Sequence, residues 1–190
     1  MKRLLAILLW CLIAAYPVIV LFGLRTLPLT YVGLMLIAVA LLRLWFLRGS
    51  TGKQILPLAL TLILLLVLVY TLLSGNPQSL KFYPVAVNAT LLLVFAGSLR
   101  SGIPVVERLA RLQEPDLPAA AIAYTRRVTV MWSGFFLLNG LVALYTTLYC
   151  SFEQWALYNG GIAYGLIALL FCVEWLVRRN VKRVNNVQTQ

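Results

Sequence analysis

The chain has 190 residues, of which 62% are apolar and 11% charged, with a net charge of +11 and no histidine. A domain in water needs more polar surface than this, so the composition excludes a soluble enzyme or soluble binding module and places the chain in lipid. Nucleic acid is excluded as a partner, because the basic residues stand in short clusters at the ends of apolar runs, where anionic headgroups and insertion topology account for them.

About 20 apolar residues cross a bilayer as a helix, and the apolar runs predict about six crossings in a single all-α membrane domain over residues 1–190. The first, 4–23, follows Lys2-Arg3 and lacks a polar cleavage region, which predicts an uncleaved helix with a tolerated kink at Pro17. The second, 27–47, ends beside Arg43 and Arg48, both expected to snorkel to the headgroups. Gly49 to Lys53 breaks the pattern before the third, 55–73, whose Leu58 to Val69 core reads as lipid-facing. Ser74-Gly75-Asn76-Pro77 is a turn. The fourth, 80–99, carries Asn88, Thr90, Gly97 and Ser98 and is expected in the interior, with Phe82 and Tyr83 as interface anchors.

Residues 100–127 form the one sizeable polar loop and hold five of the sixteen basic and three of the five acidic residues. Within it Ile103, Val106, Leu109 and Ala110 share a helical face opposite Glu107, Arg108, Arg111 and Glu114, which predicts an amphipathic helix lying on the membrane. Gly102 and Pro104 separate it from the fourth segment, and Pro118 starts a helix that can run through Ala119–Tyr124 into the fifth segment, 128–148. After a turn at Ser151 to Gln154 the sixth segment spans 155–177, closed by the basic residues Arg178, Arg179, Lys182 and Arg183 of a cytoplasmic tail, 178–190, whose polar end, 185–190, is expected to fray.

With the amino terminus inside, fourteen lysines and arginines fall on the cytoplasmic side and only Arg25 and Lys81 outside, which predicts both termini and the 100–127 loop in the cytoplasm. Ala15-Tyr16-Pro17-Val18 and Phe82-Tyr83-Pro84-Val85 share three identical residues, leaving open whether the two halves are an inverted repeat.

Chemistry is sparse. Without histidine the commonest general base and zinc ligand are missing; Cys11, Cys150 and Cys172 form no CxxC pair, and Glu114 and Asp116 lie together only in a proline-broken loop. Gly49 to Lys53 lacks P-loop spacing. The expectation is a protein that is not an enzyme, with no catalytic, cofactor-binding or metal residues. Arg108, Arg111, Arg126 and Arg127 are candidate contacts for lipids or partner proteins, and Asn88, Asn139 and Glu174 are candidate intramembrane polar sites, Glu174 with Arg178 one turn away.

Phe95-Ala96-Gly97, Ile103-Pro104-Val105-Val106-Glu107-Arg108-Leu109, Leu117-Pro118, Trp132, Phe135-Phe136 and Gly140-Leu141 resemble the intracellular septation protein A family, the YciB-type inner-membrane proteins. The chain departs from that pattern at Ser101, Gly102 and Ile103, where the family has basic residues before the proline, and at its Lys2-Arg3 start. No residue motif separates it from a second group of small membrane proteins that accompany acyl-carrier, acyl-ligase and acyltransferase proteins of lipid or aryl-polyene pathways. The resemblance implies a bacterial inner-membrane protein of envelope maintenance and septation. It would act through membrane lipids, other inner-membrane proteins or a second copy of itself. The alternative expectation is a small carrier for an acyl lipid or aryl polyene, using Asn88, Asn139 and Glu174.

Overall fold

The computed structural model describes residue 12 and residues 15–47, 55–100 and 102–188, with side chains to residue 179. The Lys2-Arg3 start, Cys11, and the Arg48 and Gly49 to Lys53 break lie outside the described residues. Every regular element among the described residues is helical: α1 (Tyr16–Thr26), α2 (Leu29–Leu47), α3 (Ile55–Ser74), a 3₁₀ turn (Pro77–Phe82), α4 (Tyr83–Arg100), α5 (Val105–Arg111), α6 (Ala119–Tyr149), α7 (Phe152–Leu157), a π turn (Tyr158–Ile162) and α8 (Ala163–Gln188). Five stretches are long and apolar enough to cross a membrane: α2, α3, the turn with α4, α6, and α7 with α8 to Arg179. Half of the first predicted segment is outside the described residues; α1, which takes up the rest of it from Tyr16 and runs on to Thr26, has 11 residues. The protein is therefore membrane-embedded and all-helical.

Aromatic and basic residues mark two ends. Exposed Tyr31, Tyr70, Tyr145 and Tyr149 lie at the start of α2 and the ends of α3 and α6, which the antiparallel path brings to one end. Exposed Trp45, near the end of α2, and exposed Trp175, near the end of the apolar stretch to Arg179, lie at the opposite one, where the Arg179 guanidinium stands 5.3 Å over the Trp175 ring. Such rings sit at headgroup level. From Arg127 to Tyr149 along α6 is about 33 Å at 1.5 Å per residue, close to the hydrocarbon thickness.

Several boundaries and faces differ from expectation. Pro17 occupies the first turn of α1, where its missing N–H costs no helical bond; residue 12 is also helical, and the residues between it and Ala15, on which the expected kink bears, lie outside the described residues. Leu27, preceding Pro28, is extended and separates α1 from α2. On α2, Val32, Leu36, Ala40 and Arg43 share the buried face. Arg43 does not snorkel: it is 4% exposed, because helical phase, and not distance from the helix end, decides which way it faces. Leu60, Leu64 and Leu68 likewise turn one stripe of α3 inward, so this segment is lipid-facing only in part. Gly33 lets α3 come close, since a Cβ there would stand 2.7 Å from Leu72 Cδ2.

α4 and α6 share the most extensive contact of any two elements, with Gly140 of α6 placed so that a Cβ would be 3.1 Å from Asn88 Cβ. Small residues at such crossings allow the backbone approach on which membrane helices depend, since lipid supplies no hydrophobic drive between them. α6 runs without interruption from Ala119 through the expected fifth segment. The sixth segment begins at Phe152, earlier than expected, under a Ser151–Gln154 capping box. Its helix continues through the basic run and on to Gln188, into the 185–190 end where fraying was expected. Neither glycine nor proline occurs after Gly165 to stop it.

Two apolar clusters result. One gathers Tyr16, Leu36, Leu64, Leu80 and Trp155 from α1, α2, α3, the 3₁₀ turn and α7. The other gathers Trp132, Phe136, Phe95 and Val106 from α4, α5 and α6, with the Phe171 ring of α8 4.7 Å from that of Trp132 at a 55° tilt.

Candidate functional site

The 3₁₀ turn is sunk into the bundle. Asn76 caps it by accepting from Gln78 N at 3.0 Å, and Gly75 supplies the left-handed residue before it at φ 63°. Leu80 and Lys81 are buried. Three helices close on their backbone: the Tyr16 hydroxyl donates to the Leu80 carbonyl at 2.9 Å, while Thr147 Oγ1 and Trp155 Nε1 donate to the Lys81 carbonyl at 2.9 and 3.1 Å. Lys81 Nζ donates to the Cys150 carbonyl at 2.7 Å and stands 5.1 Å over the Phe152 ring. Lys81, read from sequence as an outer loop charge, is thus an interior strut of the tyrosine end. Tyr83, expected at the interface, is buried against Tyr16 at 4.7 Å, whereas Phe82 is exposed.

Deeper in the bundle, a polar chain links α4, α6 and the π turn. Tyr158 Oη donates to Asn139 Oδ1 at 2.8 Å, Asn139 Nδ2 donates to Asn88 Oδ1 at 2.9 Å, and Asn88 Nδ2 donates to the Pro84 carbonyl at 2.9 Å. Asn159 Nδ2 donates to Thr146 Oγ1 at 3.2 Å and to the Trp155 carbonyl at 2.9 Å. The structure therefore brings Asn88 and Asn139 together. Glu174 stands apart, near the arginine end, where the Tyr124 hydroxyl donates to its carbonyl and to Oε1 at 3.1 and 3.2 Å, and Arg178 Nε lies 3.7 Å from Oε1.

The candidate arginines differ from one another. Arg111 is bound to Glu107 at 2.8 Å and donates to the Pro115 carbonyl at 3.0 Å; Arg108 Nε donates to the Ile103 carbonyl at 2.8 Å, and Arg126 Nη2 reaches the Leu99 carbonyl at 3.5 Å. Arg127 is exposed. The expected amphipathic faces are altered at two residues: Glu107 leaves the polar face and is buried, and Val106 packs inward on the Trp132 cluster, while Ile103 and Leu109 stay exposed. Two contacts set this phase. Pro104 is fully buried at the start of α5, and Val105 N donates to Ser98 Oγ at 3.0 Å, pinning the helix to the end of α4.

Sequence reading missed Tyr16, Lys81, Tyr158 and Trp155. Tyr158-Asn159 beside Gly160-Gly161 was the available signal for a polar, closely packed helix start. Among the described residues no group of three histidine, cysteine, aspartate or glutamate side chains gathers to hold a metal. An apolar crevice of about 60 Å³ beside Tyr16, Met35, Leu36 and Leu64 is far below the roughly 300–1,000 Å³ of ordinary ligand sites. Set against protein-family models, curated proteins and solved structures, the chain matches none of them.

Proposed function

We propose that this is a non-enzymatic protein of the bacterial inner membrane, crossing it six times with both termini in the cytoplasm, that acts in envelope maintenance and septation by holding other membrane proteins. The lysine and arginine distribution supports the orientation. The resemblance to the intracellular septation protein A family supports the envelope role. One observation carries the assembly reading: Asn88, Asn139, Asn159 and Tyr158 hydrogen-bond between or within helices, so the intramembrane polar side chains hold the bundle together. Such bonding is the commoner use of polar residues at this depth. The outer flank, with the exposed Leu166, Leu169, Leu176 and Val177 of α8 and the exposed Arg126 and Arg127 of α6, is left for partners.

The test is gentle co-purification of the tagged chain from native membranes, with mass spectrometry of the accompanying proteins and lipids. A reproducible set of membrane proteins, retained by Glu174→Gln and depleted by Arg126→Glu with Arg127→Glu, is the expected result. A single enriched acyl lipid or polyene, lost in Glu174→Gln, would replace the assembly reading with the carrier.

A further inference from the structure

We propose that α5 and its flanks form an anchor for anionic phospholipid, with Ile103, Leu109 and Leu112 entering the acyl boundary and Arg108 meeting the phosphates.

The argument rests on which way α5 faces and where it lies. Its inward side is closed by Pro104, by Val106 against the Trp132 cluster, and by Glu107, whose carboxylate is neutralised by Arg111. Its outward side carries Ile103, Leu109 and Leu112, exposed at 48%, 57% and 66%, next to exposed Arg108. A solvated helix of seven residues has little reason to turn leucines outward and a glutamate inward. One lying at a lipid boundary does, because the leucines then leave water while the carboxylate is kept from anionic phosphates.

Its level agrees. The bond from Val105 N to Ser98 Oγ places α5 at the end of α4, and Val106 meets the same cluster as Val128, beside Arg126 and Arg127. The other marks of the headgroup layer, Trp175 with Arg179 and the exposed Trp45, belong to this end. Among the described residues, exposed arginines here number six, Arg100, Arg108, Arg126, Arg127, Arg178 and Arg179, against the exposed acids Glu114 and Asp116, which stand in the turn after α5. That balance fits an anionic leaflet better than a zwitterionic one. The assignment also separates Arg108 from Arg111: only Arg108 belongs to the lipid-facing side. It holds whatever protein partner the chain has.

The test uses the full chain with its cysteines replaced and single cysteines introduced at 103, 106, 109, 112 and 116. These are labelled with an environment-sensitive fluorophore in phosphatidylcholine vesicles with and without phosphatidylglycerol. Shallow nitroxide lipids should quench 103, 109 and 112, an aqueous quencher should reach 116, and 106 should escape both. Phosphatidylglycerol should strengthen the lipid quenching, and Arg108→Gln should weaken that preference about fivefold, the factor equivalent to about 1 kcal/mol per basic residue at an anionic surface. Arg111→Gln should leave it unchanged. Equal access of the aqueous quencher to 109, 112 and 116 would overturn the anchor. So would protection of 109 and 112 from both quenchers, which would mean that protein covers them, or lipid quenching indifferent to phosphatidylglycerol.

Discussion

The Tyr16 and Tyr83 rings lie 4.7 Å apart at a 59° tilt, and each opens a helix and is followed by Pro-Val. The Tyr-Pro-Val motif, which occurs twice in the chain, therefore meets itself inside the fold. Each proline occupies a first turn, where it costs no bond, and each tyrosine is thereby set at a helix start facing the other. Tyr16 also donates to Leu80, tying α1 to the turn before α4. Tyr16→Phe keeps the ring contact and loses that bond, and should lower stability by about 1 kcal/mol. Tyr16→Ala also removes the ring and should cost about 3–5 kcal/mol. Denaturation of the detergent-solubilised protein measures both; equal losses would show that the ring contact contributes nothing.

Asn139 and Asn88 bond directly, so their effects should not add. Each single change to alanine is expected to cost about 1 kcal/mol, and a double-mutant cycle should give a coupling of about 0.6–1.7 kcal/mol, the range seen for hydrogen bonds between membrane helices. Zero coupling would show that each asparagine finds another partner when the first is removed.

Lys81 is 2% exposed with its ammonium on the Cys150 carbonyl. Lys81→Met preserves most of the volume and removes the charged donor, for an expected loss of about 1.5–3 kcal/mol. An undiminished midpoint in the same denaturation assay would return Lys81 to the role of an outer topology charge.

The glycines sort by what surrounds them. Gly140→Ala would press on Asn88 Cβ at 3.1 Å, and Gly160→Ala on Val18 Cγ2 at 2.9 Å. Both should destabilise by about 1–3 kcal/mol through overpacking. A Cβ at Gly134 meets nothing within 4 Å, so Gly134→Ala should be neutral or stabilising by up to about 1 kcal/mol. The reverse order would mean that α4 and α6 do not approach at Gly140.

Arg25 and Glu153 pair at 2.7 Å across the ends of α1 and α7, but both side chains are more than half exposed. Arg25→Gln should therefore change stability by no more than about 1 kcal/mol, with the difference shrinking as salt is raised. A large, salt-independent loss would show that the pair is shielded from water.

Apolar run length, proline and asparagine turn signals and the placement of arginine were enough to determine a membrane-embedded helical chain and its two chemically distinct ends, and five of the six expected apolar segments stand as long helices among the described residues. These are local properties: a run of leucine satisfies its own backbone as a helix whatever it packs against, and charge is excluded from lipid one residue at a time. Which face of each helix turns inward was decided only in three dimensions. Arg43 is buried because it shares a stripe with Val32 and Ala40, Glu107 because Pro104 and Ser98 set the phase of α5, and Lys81 because α1, α6 and α7 close over its turn. In lipid the apolar residues of a helix are nearly equivalent on every side, so periodicity carries little information about packing. Close approach and hydrogen bonds between distant segments, such as Asn88 with Asn139 and Tyr16 with Leu80, make that choice.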